Sequence, residues 1–466
     1  MNRSTLTMLL ERLVLLSLFV FASCGTKWTR TTINDTCPSS CLCAVNDSSL
    51  AVGNCTLENV DQEQLSEQID SFLSSNLTYR YLTHGHLTHL ELDHTPLMHV
   101  PRSVCRLTTL QMLLLYNTSL SRLPDNCFTN LTALTILAAQ FSRITKLQRG
   151  VFDALHKLKA LVLSHNNITE LQDWIFDRLR ILQLLQLDNN RISSIGSRVF
   201  DGLNKLLLLN LQTNHITQLH DGIFDGLHML WKLDVSDNHI SSIGSRVFGV
   251  SAMNINMSNN RVQLRVYDGL RKLQMLYLNN NNITKLQDRI FDRLQMLVLL
   301  QLDNNRISSI GLRTFDGLSK LTSLSLTNNI ITELQDGIFV QLRMLNLLNL
   351  NNNRISSIPL RAFEGLSKLQ DLYQYANHIT QLPDGIFDGL HLLEHLGLDN
   401  NQISSIGLRA FEGLSNLQFL FLQANHITQL QDGIFDGLGM LTTLDLSDNR
   451  ISSIGSRVFG GSAMTK

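Results

Sequence analysis

A single spacing of apolar residues recurs through most of this 466-residue chain. Between residues 182 and 203, steps of three and two residues separate Leu182, Leu185, Leu187, Asn190, Ile192 and Ile195. The same set returns 24 residues later, at Leu206, Leu209, Leu211, Asn214, Ile216 and Leu219. These steps match neither the 3.6-residue period of a helix nor the strict alternation of a long strand. A fixed period of this length predicts a solenoid, whose turns bury their apolar edges by stacking on one another.

The repeated pattern L-x-x-L-x-L-x-x-N-x-L resembles that of the leucine-rich repeat family, specifically its extracellular 24-residue type. The resemblance implies an α/β fold: a curved horseshoe with a parallel β-sheet on its concave face and an irregular or short-helical convex face. Because side chains alternate along a strand, we expect the leucines to point into the core and the x positions to face the concave side. The repeat frame begins at Leu87 and predicts about 16 turns over residues 87–466.

The charge balance and the motifs argue against several function classes. With 38 Lys and Arg against 39 Asp and Glu, the net charge of −1 gives no reason to expect nucleic acid or an anionic membrane as partner. The chain has no G-x-S-x-G elbow, phosphate-binding glycine loop or H-E-x-x-H motif. Its repeated histidines stand 24 or more residues apart, whereas metal ligands need to converge. We therefore expect no enzymatic activity, no cofactor and no metal ion.

Residues 1–24 have the features of a secretory signal peptide. Arg3 and Arg12 precede the apolar run 13–22, and small residues follow it near Cys24. The apolar run is too short to span a bilayer, which disfavours a signal anchor. No transmembrane run or lipid-anchor tail appears later. The sequence therefore predicts a secreted chain, which either is soluble and open-ended or belongs to a longer protein.

Residues 37–86 are predicted to form a cysteine cap and its connecting segment, in which residues 61–73 suit a short helix. In a secreted chain, closely spaced cysteines before a repeat array predict a disulfide-bonded cap over the apolar end of the solenoid; they are Cys37, Cys41, Cys43 and Cys55. The residues allow three pairings, and a zinc site is an alternative that the secreted context disfavours. The family resemblance implies the pairs Cys37–Cys43 and Cys41–Cys55.

The first repeats differ from the later ones. Thr95, Thr118 and Ser142 occupy the position where later repeats carry an inward asparagine. An asparagine there can donate and accept, which ties adjacent turns together, and a hydroxyl forms fewer bonds. Cys105 and Cys127 stand at nearly the same repeat phase in neighbouring turns, so a disulfide between them is expected.

Two irregularities interrupt the later repeats. Between Phe248 and Tyr267 the spacing of the F-x-x-L motif falls from 24 to 19 residues, which indicates either a hinge or, in the interpretation we favour, a scar of duplication. Segments of the type ITQLQDGIF alternate with segments of the type ISSIGLRAF, giving a second period of 48 residues. Tandem duplication of a two-turn block explains this period. No second cysteine cap follows the last repeat.

The x positions predict an acidic concave face. From Leu158 onward only Lys159 and Lys232 are basic there, and the acids are Asp188, Asp234, Asp237, Asp303, Asp371, Glu394, Asp399, Asp445 and Asp448. Such a face favours a basic patch on a protein partner. The alternative is that these acids only keep an exposed sheet soluble.

Aromatic residues at the x positions cluster late in the chain. Tyr373 and Tyr375 stand two turns before Phe419 and Phe421, with Gly397 between them. Because strands lie about 4.8 Å apart, two aromatic walls roughly 10 Å apart over a glycine floor would form a shallow slot. Aromatic side chains are common interface anchors, although they also suit strands. The candidate ligand-binding residues are Trp231, Tyr277, Tyr373, Tyr375, Glu394, Gly397, Asp399, Phe419 and Phe421.

Sequons for N-linked glycosylation concentrate in the first two thirds of the chain: Asn34, Asn46, Asn54, Asn76, Asn117, Asn130, Asn167, Asn256 and Asn282, with Asn54 disfavoured by its neighbouring cysteine. Asn117 and Asn256 stand at concave phases. Glycans there would direct a partner toward the sequon-free C-terminal turns.

Two functional hypotheses follow. The repeats resemble those of Toll-like receptor ectodomains and of variable lymphocyte receptors, the latter also in the FDRL and LDNN segments. That resemblance implies a secreted or cell-surface-associated recognition protein that binds a protein ligand on its concave face. The alternative is an extracellular matrix or carrier component that acts through protein assembly.

Overall fold

The computed structural model describes residues 31–32, 41–46, 49–53, 62–74, 87–124, 126–244, 247–248, 252–262 and 270–458. They belong to two compact units. Unit 1 runs to Ile216 and includes Ile223–Asp234, and unit 2 comprises Thr217–Gly222 and the chain from Val235 onward. The predicted signal peptide, residues 1–24, lies outside the described residues. Within the described ranges, no helix has both the length and the hydropathy that crossing a membrane requires.

Short elements precede the repeats of unit 1. Three strands pair in antiparallel fashion: β1 (Thr31–Thr32), β2 (Leu42–Asn46) and β3 (Ser49–Gly53). Helix α1 (Gln62–Ser74) confirms the short helix expected there. It buries one apolar stripe at helical spacing, formed by Leu65, Ile69 and Phe72. Cys41 is disulfide-bonded; Cys37, Cys55 and the side chain of Cys43 lie outside the description, so the cap pairing stays a prediction.

From β3 onward the strands of the main sheet pair in parallel. In unit 1 they are β4 (His89–Asp93), β5 (Met112–Tyr116), β6 (Ile136–Gln140), β7 (Ala160–Val162), β9 (Leu184–Gln186), β11 (Leu208–Asn210) and β13 (Lys232–Asp234). In unit 2 they are β15 (Asn254–Asn256), β16 (Met275–Tyr277), β18 (Leu299–Gln301), β20 (Ser323–Ser325), β21 (Leu347–Asn349), β22 (Asp371–Tyr373), β24 (His395–Gly397), β26 (Phe419–Phe421) and β28 (Thr443–Asp445). Equivalent residues of successive turns pair, as Leu372 does with Leu396. This register confirms the predicted leucine-rich repeat solenoid.

The two faces of the main sheet differ as strand alternation predicts. Leu300, Leu372 and Leu396 stand at the centres of their strands and are 0% exposed. Their neighbours Leu299 and Gln301 are half-buried. We call the leucine side the core face and the opposite side the inner face. Burying one leucine contributes about 1.5–3 kcal/mol, so the repeated leucines account for the stacking of the turns.

A ladder of buried asparagines follows the strands and joins successive turns. Asn305 is representative: its Oδ1 accepts from the backbone N–H of Ile283 (3.1 Å), and its Nδ2 donates to the carbonyl of Leu278 (3.0 Å). In the early repeats hydroxyls replace the amide, and the Oγ1 of Thr118 lies 2.6 Å from the Oγ of Ser142. The ladder thus satisfies backbone groups that burial would otherwise leave unpaired.

The side of each unit opposite the main sheet consists largely of turns. In unit 1 it carries two single-turn 3-10 helices, Val104–Arg106 and Phe128–Asn130. The disulfide between Cys105 and Cys127 joins these two solenoid turns, with a Cα–Cα distance of 4.6 Å. Stacked phenylalanines continue the core, as in unit 2, where Phe363 and Phe387 have ring centroids 6.1 Å apart.

The 48-residue period has a structural counterpart on this side. Turns associate in pairs through two-residue parallel strands: β8 (Glu170–Leu171) with β10 (Ser194–Ile195), β12 (Gln218–Leu219) with β14 (Ser242–Ile243), β17 (Lys285–Leu286) with β19 (Ser309–Ile310), β23 (Gln381–Leu382) with β25 (Ser405–Ile406), and β27 (Gln429–Leu430) with β29 (Ser453–Ile454).

A glycine N–H closes such a pair, as Gly407 donates to the carbonyl of Leu382 (2.7 Å). Pro359 stands at the glycine position of its turn and has no N–H to donate. No two-residue strand pair forms in the described residues there. The shortened repeat between Phe248 and Tyr267 falls partly outside the described residues, so the choice between hinge and scar stays open.

Candidate ligand-binding face

The inner face of unit 2 carries side chains that change from one turn to the next while the core leucines repeat. Strand β20 presents Ser323 and Ser325, strand β22 presents Asp371 and Tyr373, and strand β26 carries aromatic residues at the same positions. In the described main-sheet strands of unit 2, no Lys or Arg stands at an inner-face position. The repeated core leucines therefore support a surface whose side chains vary from turn to turn and, in the described strands of unit 2, include no Lys or Arg.

Four rings on strands β22, β24 and β26 lie together on this surface and are named here the aromatic cluster: Tyr373, His395, Phe419 and Phe421. The rings of His395 and Phe419 stack with centroids 4.7 Å apart and an interplanar angle of 6°. Phe419 and Phe421 follow with centroids 6.5 Å apart and an angle of 17°. All four side chains are half-buried. The pairing of successive strands brings these rings together, although Tyr373 and Phe421, at the two ends of the set, are 48 residues apart in sequence.

His395 was not among the residues that the sequence singled out. Its Nδ1 lies 2.7 Å from Oδ1 of Asp371, in a direction that does not make an aligned hydrogen bond. The hydroxyl of Tyr373 donates to the same oxygen at 3.3 Å. Burial, and then the charge of Asp371, raises the pKa of the Tyr373 phenol. Asp371 therefore orients two members of the aromatic cluster. The signal in the sequence was the shared repeat phase of Asp371, His395 and Phe419.

Gly397 does not form the open floor that the slot hypothesis supposed. It is buried, and a β-carbon at this position would lie 3.2 Å from Cδ1 of Tyr373. The tyrosine ring leans over the glycine and occupies the space that a side chain would need. Tyr375 lies beyond the strand end, where its hydroxyl accepts from Nδ2 of Asn352 (3.2 Å). The Tyr373 ring thus covers Gly397, and we call the surface that the four rings form the platform.

Carboxylates surround the platform. Oδ1 of Asp399 lies 3.8 Å from the position of a β-carbon on Gly397, while its Oδ2 accepts from Asn400 (2.9 Å). Oε1 of Glu394 is 3.4 Å from Nε2 of Gln370. Asp445 follows Phe421 in register. Hydrogen bonds from the side chain and backbone of Ser447 lower the pKa of Asp445, which keeps it ionised.

The other predicted acids of the inner face make internal contacts. Asp303 accepts from Ser325 and from the N–H of Thr327, yet burial outweighs both bonds and raises its pKa. In unit 1, Asp188 is buried and accepts from Ser164 (2.7 Å). Asp234, also buried, lies 3.4 Å from Nζ of Lys232, and Asp237 of unit 2 accepts from Asn259 (2.5 Å). Asp188 and Asp234 are thus the buried acids of this set, whereas Asp303 and Asp237 are half-buried, as Asp399 and Asp445 are.

Two predicted aromatic residues besides Tyr375 lie outside the cluster. Trp231 belongs to unit 1, where its backbone N–H donates to Leu207 (2.8 Å) and its side chain is half-buried. Tyr277 stands on β16, four main-sheet strands before Tyr373, and its hydroxyl lies 3.5 Å from the sulfur of Met275. Neither contributes to the platform.

The inner face of unit 1 is apolar over several strands, which the sequence reasoning missed. A cluster of buried side chains covers strands β5 to β9 and the start of the next turn: Leu114, Tyr116, Ile136, Ala138, Ala160, Val162, Leu184 and Leu207. The signal was present, because these x positions carry aliphatic residues in the sequence.

Glu91 stands on β4 beside this apolar region and is 8% exposed. Desolvation, followed by repulsion from Asp93, raises its pKa from 4.5 to about 7. Because the folded state holds this proton above the pH at which the unfolded chain loses it, stability falls as the pH rises through that interval. We expect wild type to lose about 1.5 kcal/mol relative to Glu91→Gln between pH 5 and pH 6.5. Urea unfolding at both pH values measures this difference, and a pH-independent difference would contradict it.

The sequons occupy varied positions. Asn34, Asn54 and Asn76 lie outside the described residues, as does the side chain of Asn46. Asn130 is exposed, and Asn117, Asn167, Asn256 and Asn282 are half-buried. Asn256 stands on the inner face of β15, where its Oδ1 accepts from the N–H of Ser258 (3.1 Å). The sequons leave strands β22 to β28 free of glycan sites, and occupancy remains a prediction.

Comparisons with known proteins agree with this geometry. A search of curated proteins finds no match. Among solved structures, the chain is similar to the Drosophila Toll–Spatzle complex, with a TM-score of 0.71, 22% identity, and coverage of 90% of this chain and 60% of that chain. It thus spans about three fifths of the matched Toll–Spatzle chain. The functional domain of InlJ from Listeria monocytogenes, with a TM-score of 0.55 and 20% identity, covers 82% of this chain and 72% of its own. At these identities the likeness shows the fold alone.

The family model for the leucine rich repeat matches residues 134–192, 180–240, 271–331, 319–373, 375–427 and 415–465. These segments cover more than half of the chain and coincide with the turns that carry the asparagine ladder. The chain belongs to the leucine-rich repeat family.

Proposed function

We propose that this protein is a secreted or cell-surface-associated recognition protein that binds a protein ligand on the inner face of unit 2. The observation that carries the proposal is the aromatic cluster: four half-buried rings held on adjacent strands, with carboxylates around them. Aromatic residues are enriched among interface anchors, and half-buried rings on a preformed surface lose little conformational freedom on binding.

Two further observations support a secreted recognition role. The disulfide between Cys105 and Cys127 suits an oxidising compartment such as the secretory pathway. The solved Toll–Spatzle structure is a complex described as a hub of development and innate immunity, and its fold is shared by this chain. A solenoid offers a long binding surface because the framework leaves the x positions free to vary.

New N-linked glycans on the inner face, called glycan wedges here, test the proposed surface because a glycan would block a partner from reaching it. Asp445→Asn creates the sequon Asn-Leu-Ser beside Phe421, and Ser325→Asn creates Asn-Leu-Thr on the same face of β20. Arg354→Asn creates Asn-Ile-Ser at the exposed repeat phase of the natural sequon Asn282 and serves as the matched control. Partners recovered by crosslinking in extracellular medium are compared after glycan occupancy has been verified by mass spectrometry.

We expect Asp445→Asn to abolish recovery of the partner, Ser325→Asn to reduce it, and Arg354→Asn to leave it unchanged. The double variant Asp445→Asn with Ser447→Ala removes the charge without a glycan, which separates steric blockage from charge loss. If Arg354→Asn blocks the partner while both inner-face wedges do not, contact occurs away from the inner face, as a matrix or carrier component assembling through its edges would require.

A further inference from the structure

The aromatic cluster and its carboxylates together specify a ligand chemistry, and this inference rests on the proposed function. We infer that the platform of Tyr373, His395, Phe419 and Phe421 receives an arginine side chain of the protein partner. Its guanidinium would stack on a ring face and pair with the carboxylate of Asp399 or Asp445.

Neighbouring residues hold the rings of the aromatic cluster in defined orientations. Tyr373 leans over Gly397, with Cδ1 3.2 Å from the position a β-carbon would take, because glycine leaves that space empty. Its hydroxyl is held by Asp371. The Phe419 ring is parallel to that of His395 within 6°. Phe421 stands beside Phe419 on the same strand, with ring centroids 6.5 Å apart, and all four side chains keep part of their surface exposed. A planar cation is attracted to the negative face of an aromatic ring.

Carboxylates lie close to the rings of the aromatic cluster. Asp399 directs Oδ1 toward the Gly397 position, and Asp445 pairs in register with Phe421 from the next strand. Glu394 lies immediately before β24, one residue before His395. No Lys or Arg occupies the inner-face positions of the described strands β15 to β28, so a cation arriving from a partner meets neither of these side chains there. This charge complementarity selects a cationic group over an apolar one.

Arginine and lysine differ in the shape of the cationic group that they would bring to the platform. A guanidinium is planar and offers a fork of N–H donors, so it can stack on a ring and bind a carboxylate at once. An ammonium is a compact, strongly hydrated point charge that gains less from a flat platform. The half-buried carboxylates and the flat stack therefore fit the guanidinium.

Three blocked tripeptide amides serve as probes: acetyl-Gly-Arg-Gly-amide, its lysine analogue and its citrulline analogue, which keeps the shape of arginine without the charge. Saturation-transfer NMR on the full secreted chain measures each dissociation constant. We expect the arginine peptide to bind about fivefold to tenfold more tightly than either analogue, and its affinity to fall as salt is raised.

The variants are Phe421→Leu, which keeps apolar volume and removes a ring face, and Asp399→Asn, which removes one charge. Each should weaken arginine binding about fivefold. Gln301→Leu, at the phase of Phe421 five strands earlier, should change nothing. Equal binding of arginine and citrulline, lysine binding as tightly as arginine, or insensitivity to both variants would overturn the inference.

The glycan-wedge experiment fails or succeeds independently of these peptides. Loss of the partner in the wedge variants, with no arginine preference, would overturn this inference and leave the proposed function standing. An arginine preference combined with a partner that ignores the wedges would overturn the proposed function and would leave an arginine site that the recovered partner does not use.

Discussion

Asn401→Ala should lower the free energy of unfolding by about 3–5 kcal/mol, because it leaves several buried backbone groups without partners. The side chain is 6% exposed. Its Oδ1 accepts from the N–H of Ile379 (3.0 Å), and its Nδ2 donates to the carbonyls of Gln374 (2.9 Å) and Leu398 (3.0 Å). Alanine supplies none of these bonds, so the backbone groups of three neighbouring segments lose their partners. Guanidinium unfolding followed by circular dichroism measures the loss.

The preceding residue provides a matched control. Asn400 has a φ of +53°, and its Nδ2 donates a hydrogen bond to the carboxylate of Asp399. At the same phase of the neighbouring turns the chain already carries alanine, Ala376 (φ +53°) and Ala424 (φ +51°). We expect Asn400→Ala to cost less than about 1 kcal/mol. Equal losses for the two variants would show that the ladder does not hold the turns together.

Gly407→Ala should destabilise the protein by about 2–3 kcal/mol through overpacking. A β-carbon here would collide with Oδ1 of Asp384 and lie 2.7 Å from the backbone nitrogen of the same residue. That Oδ1 also accepts from the N–H of Arg409 (2.8 Å), so the collision would disturb the link between two turns. The expected outcome is a turn like that of Pro359, in which strands β23 and β25 no longer pair.

Gly439→Ala is the control for this substitution. A β-carbon at Gly439 would have no heavy atom within 4 Å, and the residue is exposed. Replacing glycine where the backbone tolerates it restricts the unfolded chain, so stability should stay equal or rise by about 0.5 kcal/mol. Hydrogen exchange of residues 381–410 locates the effect of Gly407→Ala. Unchanged exchange there would contradict the proposed collision.

The framework of this protein was predictable because it is local. The spacing of Leu182, Leu185 and Leu187 predicts a strand whose leucines face one side, and all three are 0% exposed in the structure. The inward asparagines were predicted from their spacing, and Asn305 bonds to the backbone of the preceding turn at two positions, as expected. Each turn contacts mainly the turns before and after it, so a pattern that repeats in sequence repeats in space.

The candidate site was only partly predictable. Sequence phase placed Tyr373, Gly397 and Phe421 in one row, and the register of the strands places them there. It did not reveal that Tyr373 leans over Gly397, nor that His395 stands between Asp371 and Phe419. Phase specifies which side chains are neighbours, whereas rotamers decide whether neighbours make a trough or a platform.

By itself the sequence determined the repeat, the strand at each x-L-x-L-x segment, the faces of that strand and the asparagine ladder. The physical reason is that apolar spacing dictates which atoms leave water, and stacking on the next turn is the way to remove them. The tertiary structure alone decided how turns pair on the side away from the main sheet, how deeply Glu91 is buried, and how the rings around Gly397 are oriented. Those outcomes depend on contacts between side chains of different turns, which are set after the turns have stacked.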